Sequence, residues 1–257
     1  MVPLGSRTKG LLWLALVAAA AAAAVPALPW AARHAPWSVE RALAGLIGGA
    51  PSSAACDAPS DPASTRALAK LVQRLYPLDA ADAQLPISIT VLHGKAVNAY
   101  AALGGHIYVF DGLIAQARSP EELAGVLAHE IEHVRNRHIL QGIAVNLLAL
   151  GAVGGATGAD PSAGSRLAYL LLTMKFSRQQ EEEADAQGLQ RLARAQVDAA
   201  GFRAFFERAQ KMPEPPPILS SHPASAQRAE LAAHATGYPS RPVLDAVEWQ
   251  ALRGICR

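Results

Sequence analysis

Residues 119–138 read SPEELAGVLAHEIEHVRNRH, and their reading decides the fold. Ser119 is a helix-capping residue, Pro120 suits the first helical position, and Glu122 stands where a capping box needs it. Leu123, Val126, Leu127, Ile131 and Val134 follow at helical spacing and predict one buried face. On that helix sits His129-Glu130-Ile131-Glu132-His133, an H-E-x-x-H pattern. Residues four apart lie one above the other, so the two imidazoles can hold one Zn²⁺ from the same side. Glu130, beside a ligand, can reach the zinc-bound water without ligating. The chain has 8 histidines and 12 glutamates in 257 residues, and random placement at that composition gives roughly 0.01 matches per chain. Two surface histidines on a helix would be the bland alternative, which suits so apolar a helix poorly.

Moving toward the C-terminus, a zinc hydrolase needs a third protein ligand and an open position for water. The candidate segment is Ser177-Arg178-Gln179-Gln180-Glu181-Glu182-Glu183-Ala184-Asp185, also expected to be helical. Glu181 and Asp185 share a face. Glu181 can coordinate zinc, and Asp185 can accept a hydrogen bond from the non-ligating nitrogen of a ligand histidine. A solvated acidic run is the alternative, and spacing alone does not choose among the three glutamates.

With E-x-x-A-D placed 48 residues after H-E-x-x-H (133 to 181), the sequence resembles the M48 peptidases, a gluzincin family of membrane-associated and periplasmic proteases. More than the zinc motif matches. Asn98-Ala99-Tyr100-Ala101, Gly104-Gly105, Ile107-Tyr108-Val109-Phe110 and Gly112-Leu113-Ile114 are similar to the strand pair that precedes the family's active-site helix. Ser177-Arg178 and His222-Pro223 with Arg228 match as well. The resemblance covers about residues 65–235, and Leu103 departs from it where many members have proline. It implies an α+β, zincin-like fold, mainly helical, with a small antiparallel sheet flanking the active-site helix. It also implies Glu181 as third ligand, one Zn²⁺ per chain, and misfolded envelope proteins as substrates.

The chemistry expected is peptide hydrolysis, with Glu130 as general base on zinc-bound water and zinc polarising the carbonyl. His222 has three readings: a donor to the developing oxyanion, a fourth zinc ligand that holds the enzyme latent, or a structural loop histidine. Arg228 is a candidate clamp on carboxylates near the site or a packing residue. His138 reads as a helix-end histidine favoured by the macrodipole. His34, His93, His106 and His234 receive no role. The segment 98–103, with Asn98, Ala99, Tyr100 and Ala101, is a candidate edge on which an extended substrate could pair.

The outer regions fit a targeted protein. Arg7 and Lys9 precede LLWLALVAAAAAAAVPAL at 11–28, a stretch with no charge. That layout is a signal peptide, with Val25-Pro26-Ala27 as cleavage site, or a signal-anchor helix. Either would carry the chain to the periplasm or the periplasmic face of the inner membrane of a Gram-negative-type cell. There Cys56 and Cys256 could form a bridge between the two ends of one domain; two unpaired thiols are the alternative. Residues 29–63 read as a tether with one helical piece at Val39, Leu43, Leu46 and Ile47, and residues 64–257 as a single peptidase domain. A helix is expected over 64–76 and a strand over 86–93. Residues 139–159 carry no charge and have the length of a membrane span; a hydrophobic hairpin over the site is favoured, because the next apolar piece, 167–174, is too short to cross.

Composition bounds the rest. Hydrophobic residues make up 51% and charged residues 17%, which excludes an intrinsically disordered chain. A net charge of +2 gives a nucleic-acid partner no support. The reading is therefore a zinc metalloendopeptidase bound to or released from the membrane through its N-terminal segment, acting on unfolded or misfolded proteins. The rival is a non-catalytic, chaperone-like envelope module with a structural or latent zinc site.

Overall fold

The computed structural model describes residues 12–13, 27–47, 55–56, 62–77, 87–146, 175–222 and 237–256. The H-E-x-x-H helix, Pro120–Arg135, runs through the centre, and every residue from Glu122 to Val134 is buried. Its start follows the sequence: the Ser119 side chain accepts from the Glu122 N–H. The Glu122 carboxylate does not complete the expected capping box. It accepts from the Arg118 N–H and pairs through both oxygens with Arg208 at 2.6 Å. A two-pronged guanidinium is a stronger partner than one backbone amide, and it ties the helix start to helix Ala200–Gln210. That helix lies very close: a Cβ on Gly125 would stand 2.7 Å from the Phe202 Cβ, so only glycine permits this approach.

Helix Arg178–Arg194 packs along the central helix and carries the acidic segment, started by a Ser177–Gln180 capping box. Both helices bury charge, which is costly unless paired. Glu132, fully buried, pairs with Arg191 at 2.7 Å and with Arg135 at 2.8 Å. Arg191 also donates to the Leu75 carbonyl, the last residue of helix Pro62–Leu75. That helix buries Ser64, Ala67, Leu71 and Leu75, while Leu68 and Val72 are half-buried. The C-terminal helix Ala246–Arg253 packs on it, with Lys70 against Glu248.

Three short strands flank the central helix: β1 Ser88–Leu92, β2 Ala99–Ala101 and β3 His106–Phe110, in the order β1-β3-β2. The sheet is mixed rather than wholly antiparallel. β2 and β3 form the expected antiparallel pair, but β1 runs parallel to β3. The physical reason lies at 93–98, which carries the chain past β3 before β2 begins, so the two neighbours of β3 enter from opposite ends. Gly104, at φ +79°, makes the turn before β3, a conformation that favours glycine.

The N-terminal segment lies on this frame. Residues 27–34 are helical, and helix Trp37–Ile47 follows. Of its expected apolar positions Leu43 packs against the core, with Trp37 and Ala44, while Val39 and Leu46 are exposed, at 44% and 82%. The buried Glu40 adds polar contacts: it accepts from the Gly104 N–H and pairs with Arg137. Cys56 and Cys256 are joined by a disulfide, with Cα atoms 5.2 Å apart across 200 residues of sequence. Of the uncharged stretches, most of 11–28 and most of 139–159 fall outside the described residues; 138–146 is helical. No helix among the described residues is long and apolar enough to cross a membrane.

Candidate metal centre

The helix Pro120–Arg135 stacks His129 and His133 one turn apart, and their Nε2 atoms lie 3.0 Å from each other. From the neighbouring helix Glu181 enters, its Oε1 3.4 Å from His133 Nε2 and its Oε2 3.6 Å from His129 Nε2. His222 arrives at the end of the short helix Pro217–Ser221. Its Nδ1 lies 3.1 Å from His129 Nε2 and 3.0 Å from Glu181 Oε1. All four side chains are buried, and one donor atom from each lies within 4.8 Å of the others. Zinc takes nitrogen at about 2.0–2.1 Å and oxygen at about 2.0–2.2 Å in a tetrahedron, whose edges are then about 3.3–3.5 Å. The spacings of 3.0–3.6 Å straddle that value, so this donor set fits one zinc ion. A second grouping, Cys56, His93 and Cys256, has both sulfurs committed to the disulfide.

Electrostatics suit the same role. Burial drives the His133 imidazole well below its ordinary value, against the pull of Glu181, and a metal ligand must be neutral imidazole. Burial pushes the Glu181 carboxyl upward, but hydrogen bonds from His133 and His222 outweigh it and hold the group ionised far below the usual range. Glu130 is fully buried at the edge of the cluster. Its Oε2 accepts from the Ala101 N–H at 2.9 Å, and its Oε1 stands 3.3 Å from His222 Nε2. Burial raises its carboxyl above the ordinary value, with His222 and His129 pulling the other way.

The surroundings hold the rings in place. Asp185 Oδ1 stands 2.9 Å from His129 Nδ1. Phe176 stacks on His133 at 3.9 Å between ring centres, and Phe202 and Phe206 flank His129. Strand β2 turns its outer edge to the site. Asn98 O and Ala102 N bond to β3, so the backbone groups of Ala99 and Ala101 point the other way, where Ala101 meets Glu130. Asn98 Oδ1 is buried without a hydrogen-bond partner among the described residues. The Tyr100 ring lies against Tyr108 and Phe110.

The structure therefore brings together His129, Glu130, His133, Glu181, His222 and Asp185, with Ala101 at their edge. Arg228 lies outside the described residues. Sequence reasoning missed His138 and Glu183. His138 Nδ1 lies 2.9 Å from His133 Nδ1, and its Nε2 lies 3.4 Å from Glu183 Oε2. It also missed the aromatic wall and the Glu132–Arg191 pair. Spacing hid His138 because the helix ends before it, and the intervening turn, with Arg137 at φ +58°, sets where the ring goes.

Two imidazoles and a carboxylate from two packed helices, with a glutamate poised beside them, define a metallopeptidase centre of the gluzincin kind. Residues 62–236 match the model of Peptidase family M48, and the chain belongs to that family, whose members are zinc enzymes. Among its relatives is the beta-barrel assembly-enhancing protease of Escherichia coli (strain K12), 30% identical over 181 residues, covering 64% of this chain and 37% of the relative. The metalloprotease LoiP of the same organism is 32% identical over 154 residues, covering 56% and 61%. The mitochondrial metalloendopeptidase OMA1 of Arabidopsis thaliana is 33% identical over 150 residues, covering 57% and 31%. The matched region thus spans less than two thirds of each of these relatives.

Proposed function

We propose that this chain is a zinc-dependent endopeptidase of the Gram-negative-type cell envelope, acting on unfolded or misfolded envelope proteins at the periplasmic side of the inner membrane. The observation that carries the reading is the position of Glu130, buried against a four-donor cluster with its free edge toward His222. The relative named for beta-barrel assembly and the apolar N-terminal stretch support the compartment and the substrate class.

His129, His133 and Glu181 are the three ligands that would hold the ion. Zinc supplies a Lewis acid that polarises a carbonyl and acidifies water. Glu130 takes a proton from the attacking water and passes it to the leaving amine. Burial tunes it for this, because a carboxyl raised toward the working pH both accepts and returns a proton. Asp185 holds the His129 ring with Nε2 toward His133, Glu181 and His222. The outward edge of β2, with Asn98 nearby, pairs with an extended peptide backbone and so reads shape more than side chains. Arg228, outside the described residues, keeps both of its readings, a clamp on carboxylates or a packing residue.

His222 completes a set of four protein donors, which is the closed form of a zinc site. We therefore assign this arrangement as latent: His222 would be a fourth donor holding the ion, and a ring released from that role could donate to the oxyanion that develops on the carbonyl. The same closed set is what a non-catalytic module with structural zinc would show, so the two readings need one decisive assay. Full-length protein is incubated with unfolded casein, beside Glu130→Gln and His222→Ala. Loss of about 10²–10⁴-fold in cleavage by Glu130→Gln, with zinc content unchanged, is expected. Zinc-loaded wild type and His222→Ala that are both inert would hand the chain to the binding-module reading.

A further inference from the structure

The turn that follows the H-E-x-x-H helix is gripped from outside, residue by residue, by the N-terminal segment. Arg33 donates to Asn136 Oδ1 at 3.0 Å. Arg137 pairs with Glu40, donates to the Ala35 carbonyl at 2.6 Å and lies over the Trp37 ring at 3.4 Å. Arg137 occupies the left-handed position just past a helix end, where glycine is usual, so its backbone needs such holding. His138 is fully buried and reaches Glu183. Glu183 in turn takes both arms of the Arg33 guanidinium, at 2.7 and 3.1 Å.

The protons along this chain can be placed one by one. Arg33 has only donors, so Glu183 is an acceptor at both oxygens. His138 Nε2, facing Glu183, therefore carries the ring proton. In the neutral ring its Nδ1 is then an acceptor. His133 Nδ1, 2.9 Å away, must be the donor, and this leaves the lone pair of His133 on Nε2, the atom that faces His129 and Glu181. We infer that the N-terminal segment is a working part of the metal centre: through Arg33, Glu183 and His138 it fixes the tautomer and the aim of the ligand His133. These three are positioning residues, and undocking of the segment loosens the metal. The inference rests on His133 being a zinc ligand.

The test measures zinc affinity of the full-length protein by competition with a chromophoric chelator, and the visible spectrum of the Co²⁺-substituted protein. Losing the outer partner of a ligand histidine typically weakens metal binding about 10–100-fold. His138→Ala is expected in that range, Glu183→Gln about 10-fold and Arg33→Gln several-fold, with Arg33→Lys restoring part of the loss. The double variant Arg33→Gln/His138→Ala should bind no more weakly than His138→Ala alone, and the Co²⁺ bands should shift in each variant. Arg33 and Glu183 lie toward the surface, so their variants remain informative if His138→Ala fails to fold. Wild-type affinity and spectra in both Arg33→Gln and Glu183→Gln, or losses that simply add, would overturn the inference. His133→Ala separates the two levels: retained zinc there overturns the ligand assignment itself, whereas lost zinc there with unchanged Arg33 and Glu183 variants overturns only the coupling.

Discussion

The two histidines of the H-E-x-x-H helix are supported in opposite ways. Behind His129 stands a single buried carboxylate, Asp185, on a helix packed in the core. Behind His133 stands another imidazole, then a half-buried carboxylate, then an exposed arginine on the N-terminal segment. A carboxylate partner increases ligand basicity more than a neutral ring does, and a core helix moves less than a docked terminal segment. One histidine is thus anchored by the fold itself, the other by a contact that reaches the surface. Among the described residues, the second route is the one that reaches the surface.

Both routes depend on the same two helices, joined by Glu132 and Arg191, and removing that frame should have the largest effect. Glu132→Ala strands the buried Arg191 guanidinium, and breaking one side of a buried pair costs about 3–5 kcal/mol. Urea unfolding of the metal-free protein should show that loss. A cost below about 1 kcal/mol would mean the helices are held by apolar packing alone, and that the supports of His129 and His133 need no common frame.

A pH titration separates the supports themselves. Burial, chiefly, pushes His138 down to about 4 from its ordinary 6.5, with Glu183 pulling the other way. Between those values the unfolded chain takes up the proton and the folded protein does not. Stability is therefore full above pH 6.5 and is lost as the pH falls toward 4. The span corresponds to about 3 kcal/mol in the metal-free protein. Denaturation midpoints at pH 7, 5.5 and 4 should show this decline, and His138→Asn should flatten it. An equal slope in both would place the titrating group elsewhere and remove the distinction drawn for His133.

The sequence made some of this plain and concealed the rest for physical reasons. H-E-x-x-H and the acidic run are local patterns on helices, so periodicity alone puts His129 over His133 and Glu181 over Asp185. The helix start at Ser119 and the β2–β3 pair about Gly104 are local too. What links distant segments was not legible. Nothing near Arg33 announces Glu183, 150 residues on. Nothing near Glu132 announces Arg191, 59 residues on. His222 was a candidate with three readings because only the tertiary path of Pro217–Ser221 decides which atoms its ring meets. The parallel β1–β3 pairing likewise depends on how 93–98 travels, which alternation of apolar residues cannot express.

The finest effect falls on the metal itself. Asp185→Asn keeps shape and removes the charge behind His129, so zinc affinity should fall about 10–100-fold, or about 1.4–2.7 kcal/mol. The stability of the metal-free protein should change less than its affinity for zinc. Set beside His138→Ala under the same chelator, the result ranks the two supports directly. If the core carboxylate matters more, Asp185→Asn loses more zinc and its loss is indifferent to Arg33→Gln in the same chain. If the ranking is reversed, the ligand tied to the N-terminal segment dominates retention. Docking of that segment would then control whether the centre is loaded at all, because the ion would be held most tightly where its support is most exposed.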